Sequence, residues 1–176
     1  MMFRESGRET AQPLEGWAMY FNTVNDQRVF NVVDLYAEPP EDGSLGMSFQ
    51  VKIDLIRPDE DGLSTQSEDR ILSEVEQTLT AYVREAQHGQ YVGRSTQQGA
   101  RTYFFYLENE GCPDGQEIRK VLWRYNVYPV ECFSKEDENW ACFSKCLYPS
   151  PDKMTSVQHA TMRREDDVLQ RCDAVH

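Results

Sequence analysis

Histidine is scarce: His88, His159 and His176 are the three in a chain of 176 residues. Imidazole is the usual general base near neutral pH, so most of the sequence lacks the commonest acid–base side chain. His88 falls at an expected helix end, where the terminal carbonyls account for it. Apolar runs are short. None approaches the roughly 20 residues of a membrane helix, and the opening "MMFRESGRETAQPLEG" lacks the continuous apolar stretch of a secretory leader. Cytoplasm is therefore the expected location. Positive charge is in deficit as well, with 18 Lys plus Arg against 30 Asp plus Glu, a formal net charge of -12 and a pI near 4.7. The summed field opposes a nonspecific hold on phosphate backbones or anionic bilayers. Neither nucleic acid nor membrane is expected as a partner, and a basic protein is easier to accommodate. Compact chemical motifs are missing too: there is no Walker-type phosphate loop, strand-linked GxGxxG, HExxH, calcium-loop pattern or GxSxG elbow.

What is present is the composition of an ordinary globular protein, 39% hydrophobic and 27% charged. A mass of 20.5 kDa suits one substantial core. The five cysteines are odd in number and fit reduced thiols better than a disulfide framework. Cys132, Cys142 and Cys146 fall in expected strands; Cys112 and Cys172 look more exposed. Counting by twos puts Cys142 and Cys146 on one side of a strand, and a zinc site with Cys172 and His176 can be drawn. It lacks a tight CxxC, so neither metal nor cofactor is expected.

Residues 1–16 read as a flexible lead-in, 17–152 as a single α+β domain, and 153–176 as a C-terminal helix and tail. "WAMYF" and "RVFNVVDLY" are strands joined by a turn with Asn22, Asn25 and Asp26. "MSFQVKIDLI" alternates, with Phe49, Val51, Ile53 and Leu55 on one face and Gln50, Lys52 and Asp54 on the other. Thr65 and Glu68 have capping-box spacing ahead of a helix whose apolar stripe is Ile71, Leu72, Val75, Leu79 and Tyr82, and Gly89 stops it. "QYVGRST" and "ARTYFFYLE" form a hairpin across "QQG". Asp114 and Glu117 open a second helix with Ile118, Val121, Leu122 and Tyr125 on its stripe. "VYPVECF" and "WACFSKCLY" read as two more strands across the charged turn "SKEDEN", and a last helix is expected over about 153–171. The order β-α-β-β-α-β from residue 47 predicts a ferredoxin-like split β-α-β sandwich. Its antiparallel sheet carries helices on one face, and an N-terminal hairpin and the Trp140 strand extend it.

Four side chains stand out as interaction or anion contacts. Arg94 and Arg101 flank the tight turn in adjacent strands, where two guanidinium groups near one sheet end need acids or an anion between them. Asp54 lies within a strand, with a salt bridge to Arg57 or Arg101 as the simple account. Within "TQQGARTYFFYLEN", residues 96–109, Tyr103, Phe105 and Leu107 share one face while Phe104 and Tyr106 point to the other. Tyr106 and Arg101 are expected to keep a polar group in water. Catalytic residues are not identifiable. The remaining carboxylates, in "RPDEDG", "SKEDEN" and "RREDD", read as solvated turns and helix faces.

The ordered set "WAMYF", "RVFNVVDL", "VKIDLIRPDEDGLSTQSEDRILSEVEQTL", "YVGRSTQQGARTYFFYLE" and "WACFSKCLYPSPD" resembles the bacterial domain of unknown function family numbered 695. The family's "dGLs" turn corresponds to residues 61–64, its glycine-basic-threonine cluster to 93–96, and its glycine-arginine pair to Gly99 and Arg101 ahead of the aromatic strand. The resemblance spans about 17–152 and carries no agreed activity. The tail "QHATMRREDDVLQRCDAVH" resembles the opening helix of an endoribonuclease-inhibitor-like domain, with Cys172 where a glycine is usual; a complete inhibitor domain is not expected. The resulting expectation is a noncatalytic protein-interaction or regulatory module, with a small hydrolase using dispersed carboxylates and a structural domain forming homo-oligomers as alternatives.

Overall fold

Two hairpins close through turns that need left-handed backbone at both central positions. β1 (Trp17–Val24) and β2 (Gln27–Asp34) are joined by Asn25 and Asp26, with φ of 51° and 62°. β4 (Gln90–Gln97) and β5 (Ala100–Leu107) are joined by Gln98 and Gly99, with φ of 50° and 74°. Paired positive φ values match the right-handed twist of the flanking strands, and Asn, Asp and Gly tolerate them best. The computed structural model describes residues 16–108 and 111–159. The expected lead-in, apart from Gly16, and most of the expected last helix lie outside the described residues.

β3 (Met47–Asp54) and β6 (Val130–Glu136) complete a seven-stranded sheet with the two-residue β7 (Gln158–His159). Its order is β6-β3-β5-β4-β2-β1-β7, with every neighbouring pair antiparallel. The first four positions are the ferredoxin-like arrangement predicted from the β-α-β-β-α-β order, and the N-terminal hairpin extends it through β2 against β4. α1 (Gln66–Ala86) and α2 (Gly115–Val121) lie over one face. There Phe49, Val51, Ile53, Tyr103, Phe105 and Leu107 meet Leu72, Val75, Leu79, Val83, Ile118 and Leu122. Alternation in β3 and β5 thus decides which side chains enter this core.

Four local expectations are corrected. Thr65 stands at the N-cap of α1 but makes no side-chain cap bond; the Glu68 carboxylate instead accepts from the Ile56 and Arg57 backbone amides, tying the preceding loop to the helix. Ile71, assigned to the apolar stripe, is exposed, while Asp69 and Glu76 are buried. "WACFSKCLY" forms no strand: it contains α3 (Ala141–Cys146), packed on the opposite face from α1. The late strand is β7, beside β1. It follows the single turn α4 (Pro151–Met154), so His159 belongs to a strand rather than to the expected helix.

Candidate functional site

The Asp69, Leu72, Glu76, Leu79 and Val83 positions recur at alternating intervals of three and four, placing two carboxylates inside an otherwise apolar helix stripe. Each meets an arginine from the sheet. Arg101 Nη2 lies 3.2 Å from Asp69 Oδ1, and both side chains are 0% exposed. The same guanidinium donates to Ser64 Oγ at 2.8 Å and, through Nε, to Thr96 Oγ1 at 2.9 Å. Two helical turns further on, Glu76 accepts from Arg94 Nη1 and from the Tyr91 hydroxyl, the latter at 2.7 Å. Tyr103, between the two pairs, donates to the Leu72 carbonyl. Burial pushes the Tyr91 hydroxyl well above its usual range, and the Glu76 charge adds to this.

Arg94 and Arg101 therefore share a face, as the hairpin register requires, but they face α1 rather than water. Asp54 does not join them. It is exposed at the end of β3, and the carboxylate partner of Arg101 is Asp69. The loss of Arg101 to the interior follows from desolvation: a buried guanidinium needs a buried carboxylate, and α1 supplies one.

Gly93 makes the crossing from β4 to β2 close. It follows a bulge between Tyr91 and Gly93, has φ of 151°, and an added Cβ would meet the Val32 carbonyl oxygen at 2.4 Å. Only glycine fits such an approach.

On the opposite face, Tyr106 is 1% exposed, not water-facing as expected. Its ring stacks on Trp140 with centroids 4.1 Å apart, and its hydroxyl donates to Asp137 Oδ2 at 2.8 Å while accepting from the Phe143 amide. Asp137 also accepts from the Ala141 and Cys142 amides at 2.8 and 2.9 Å. One carboxylate thereby satisfies the first donors of α3 and turns this segment from strand to helix. Trp140 adopts φ of 54° and donates from Nε1 to the Leu45 carbonyl. Burial pushes the Tyr106 hydroxyl far upward, aided by its bond to Asp137. Burial also works to raise the Asp137 carboxyl, but the bonds from Cys142, Tyr106 and Ala141 outweigh it and hold the group below its ordinary value.

A depressed carboxylate contributes stability that is present above its unfolded pKa, about 4, and is lost as pH falls through the lower folded value. Asp137→Asn should therefore have a lower urea midpoint than the parent at pH 7, with the gap closing below about pH 4. A gap that is constant from pH 7 to pH 3 would reject this account.

Open depressions lie outside these internal networks. One, of about 530 Å³, is lined by Asp26, Gln27, Arg28, Glu60, Asp61, Gly62 and Gln98. Arg28 pairs with Asp61 at 3.2 Å and lies over the Phe21 ring, leaving Asp26 and Glu60 as carboxylates beyond that pair. Asp54 and Asp59 belong to the same end of the sheet, reached by the β1–β2 and β4–β5 turns. Another, of about 790 Å³, lies beside α3 and α4 and includes Tyr20, Cys146, Tyr148 and Met154 in its wall. Among the described residues, no group of three or more His, Cys, Asp or Glu is arranged to hold a metal ion, and no helix is long and apolar enough to cross a membrane.

The segment carrying both networks, residues 15–148, matches the model of a family of unknown function, DUF695. The chain belongs to this family. No curated protein and no solved structure matches the chain. The DUF695 match covers β1 through α3. The tail, for which the sequence raised the expectation of an inhibitor-domain helix, lies beyond it, and apart from β7 it also lies outside the described residues.

Sequence reasoning missed the partners of Arg94 and Arg101 and the role of Asp137. The available signals were the position of Asp69 and Glu76 within the Leu72, Leu79 and Val83 stripe, and an acid shortly before "WACF" at helix-capping distance.

Proposed function

We propose that this DUF695 chain is a noncatalytic protein-interaction or regulatory module that receives a basic segment of a partner protein at the Asp26–Glu60 end of its sheet. The observation that carries this reading is how the carboxylates are divided. Glu68, Asp69, Glu76 and Asp137 are committed to bonds within the fold, and Asp59 accepts from the Asp61 and Leu63 amides, whereas Asp26 and Glu60 line an open depression at one end of the sheet, where Asp54 is exposed as well. Hydrolysis by dispersed carboxylates calls for paired acids on a rigid cleft, and the buried acids here already hold arginines or amide groups. The charge of -12 adds a field that would steer a basic partner to this end. The tail's likeness to an endoribonuclease-inhibitor helix supports the same class of role, since such inhibitors act by binding a protein. A cytoplasmic setting goes with this reading.

The test is affinity capture from the source cell's lysate with the parent chain and with Asp26→Lys/Glu60→Lys as paired baits, the retained proteins being identified by mass spectrometry. The parent should retain a basic protein that 1 M salt releases, because screening shortens to about 3 Å there. The double variant should retain at least about tenfold less, a loss of about 1.4 kcal/mol. Absence of any specific protein, or equal retention by both baits, would overturn the proposal.

A further inference from the structure

Cys142 and Cys146 were assigned to one side of a strand, but they occupy successive turns of α3 with their sulfurs 3.6 Å apart. Four residues of helix separate their Cα atoms by about 6 Å, within the range of roughly 4.4–6.8 Å that a disulfide spans. The Cβ atoms of such helical neighbours stand about 5–6 Å apart and must approach to about 3.5–4.5 Å, so closure also draws on a local shift of the six-residue α3. The two thiols have different surroundings. Cys146 is exposed and lines the depression of about 790 Å³, with Tyr20, Lys145 and Tyr148 beside it. Cys142 is half-buried, and its sulfur receives a hydrogen bond from Gln50 Nε2 at 3.1 Å.

We infer that Cys142 and Cys146 form a dithiol site that reduces low-molecular-weight organic disulfides by thiol–disulfide exchange, with Cys146 attacking and Cys142 resolving. This activity is independent of the acidic end and of any protein partner. In the first step the Cys146 thiolate attacks one sulfur of RS–SR. The Cys146–SR bond forms, the RS–SR bond breaks, and RS⁻ leaves and takes a proton from solvent. In the second step Cys142 gives its proton to solvent and its thiolate attacks Cys146 Sγ. The Cys142–Cys146 bond forms, the Cys146–SR bond breaks, and a second RS⁻ leaves to be protonated. The protein dithiol loses two electrons and two protons, and RS–SR becomes two RSH. The Gln50 amide is placed to stabilise charge on Cys142 as it attacks, and the open depression leaves room for both departing thiols.

The electrostatics agree with this division of roles. The hydrogen bond from Cys142 draws the Cys146 thiol down to about 7, against the effect of burial and of Asp137, with Lys145 assisting. The same contact, together with burial, pushes Cys142 upward, and Asp137 adds to it. A thiolate near ambient pH is the effective attacking group. Tyr20 also faces Cys146; burial raises its hydroxyl, leaving it neutral through this range.

The test treats the folded full chain with glutathione disulfide, quenches with acid, and maps the products by peptide mass spectrometry. The expected product is an internal Cys142–Cys146 disulfide with two glutathiones released per chain. Cys142→Ser should stop at a Cys146–glutathione mixed disulfide, and Cys146→Ser should leave Cys142 reduced. Alkylation of Cys146 by iodoacetamide should titrate near pH 7 in the parent and near about 8.5 in Cys142→Ala, which removes the donor. Three results would overturn the inference: a parent that stays reduced while folded, a mixed disulfide that persists in the parent, or Cys112 and Cys132 reacting as fast as Cys146. Circular dichroism of each variant separates loss of reactivity from loss of folding.

Discussion

Asp69→Ala is expected to cost about 3–5 kcal/mol of folding stability, because it removes a buried carboxylate that faces the buried Arg101 guanidinium. The pair is 0% exposed on both sides, so water cannot take over the lost interaction. Ser64 and Thr96 still accept from Arg101, but neutral hydroxyls cannot balance its charge. Arg101→Met combined with Asp69→Leu should recover most of the loss, since replacing a whole buried pair with apolar groups of similar volume is often close to neutral. Urea unfolding of the three chains checks both parts. A single variant within about 1 kcal/mol of the parent would show that the ion pair does not hold α1 to the sheet, and a double variant as damaged as the single one would show that the arginine packing matters more than its charge.

The same pair shows how far the sequence could be read. Phe49, Val51 and Ile53 alternate with Gln50 and Lys52, and that alternation alone places β3 and its buried face. The β-α-β-β-α-β order then sets the sheet, because both hairpin turns and both helices have local signals. Arg101 is different. Its carboxylate partner lies 32 positions earlier on another element, and no local spacing connects them until the fold has been assembled. Asp69 was legible as an acid in the first turn of a helix, which is a surface role, although its place on the Leu72 stripe argued for the interior. The segment at Trp140 was ambiguous for another reason. Trp140, Phe143 and Leu147 fit helical spacing, while the aromatic and cysteine content of so short a run also fits a strand. Asp137 decides between them by taking the Ala141 and Cys142 amides, and it looked like one more acid in a charged turn. The strand reading also hid the dithiol: two cysteines at an interval of four are neighbours on a helix and separated on a strand.

Phe105→Ala should remove about 3–5 kcal/mol as well, by a different mechanism. Phe105 is 1% exposed in the middle of β5, with ring centroids 6.2 Å from Phe49 and 5.2 Å from Tyr91. Neighbouring strands fix those rings from both sides through the Phe49↔Phe105 and Tyr91↔Phe105 register, so the space left by the benzyl group cannot collapse easily. The loss combines lost burial with a cavity, and no charge is exposed or stranded. It should therefore be insensitive to pH between about 5 and 8, unlike a change that acts through a titrating carboxylate. With a slope of about 1–3 kcal/mol per molar urea, the midpoint should fall by at least about 1 M at an unchanged slope. A midpoint equal to the parent's would reject the placement of Phe105 in the core beneath α1. A changed slope would instead point to an altered unfolded state or to loss of two-state behaviour. An intact DUF695 domain under these conditions depends on Phe105 for packing and on Arg101 for its ion pair, two residues of one strand that face the same helix.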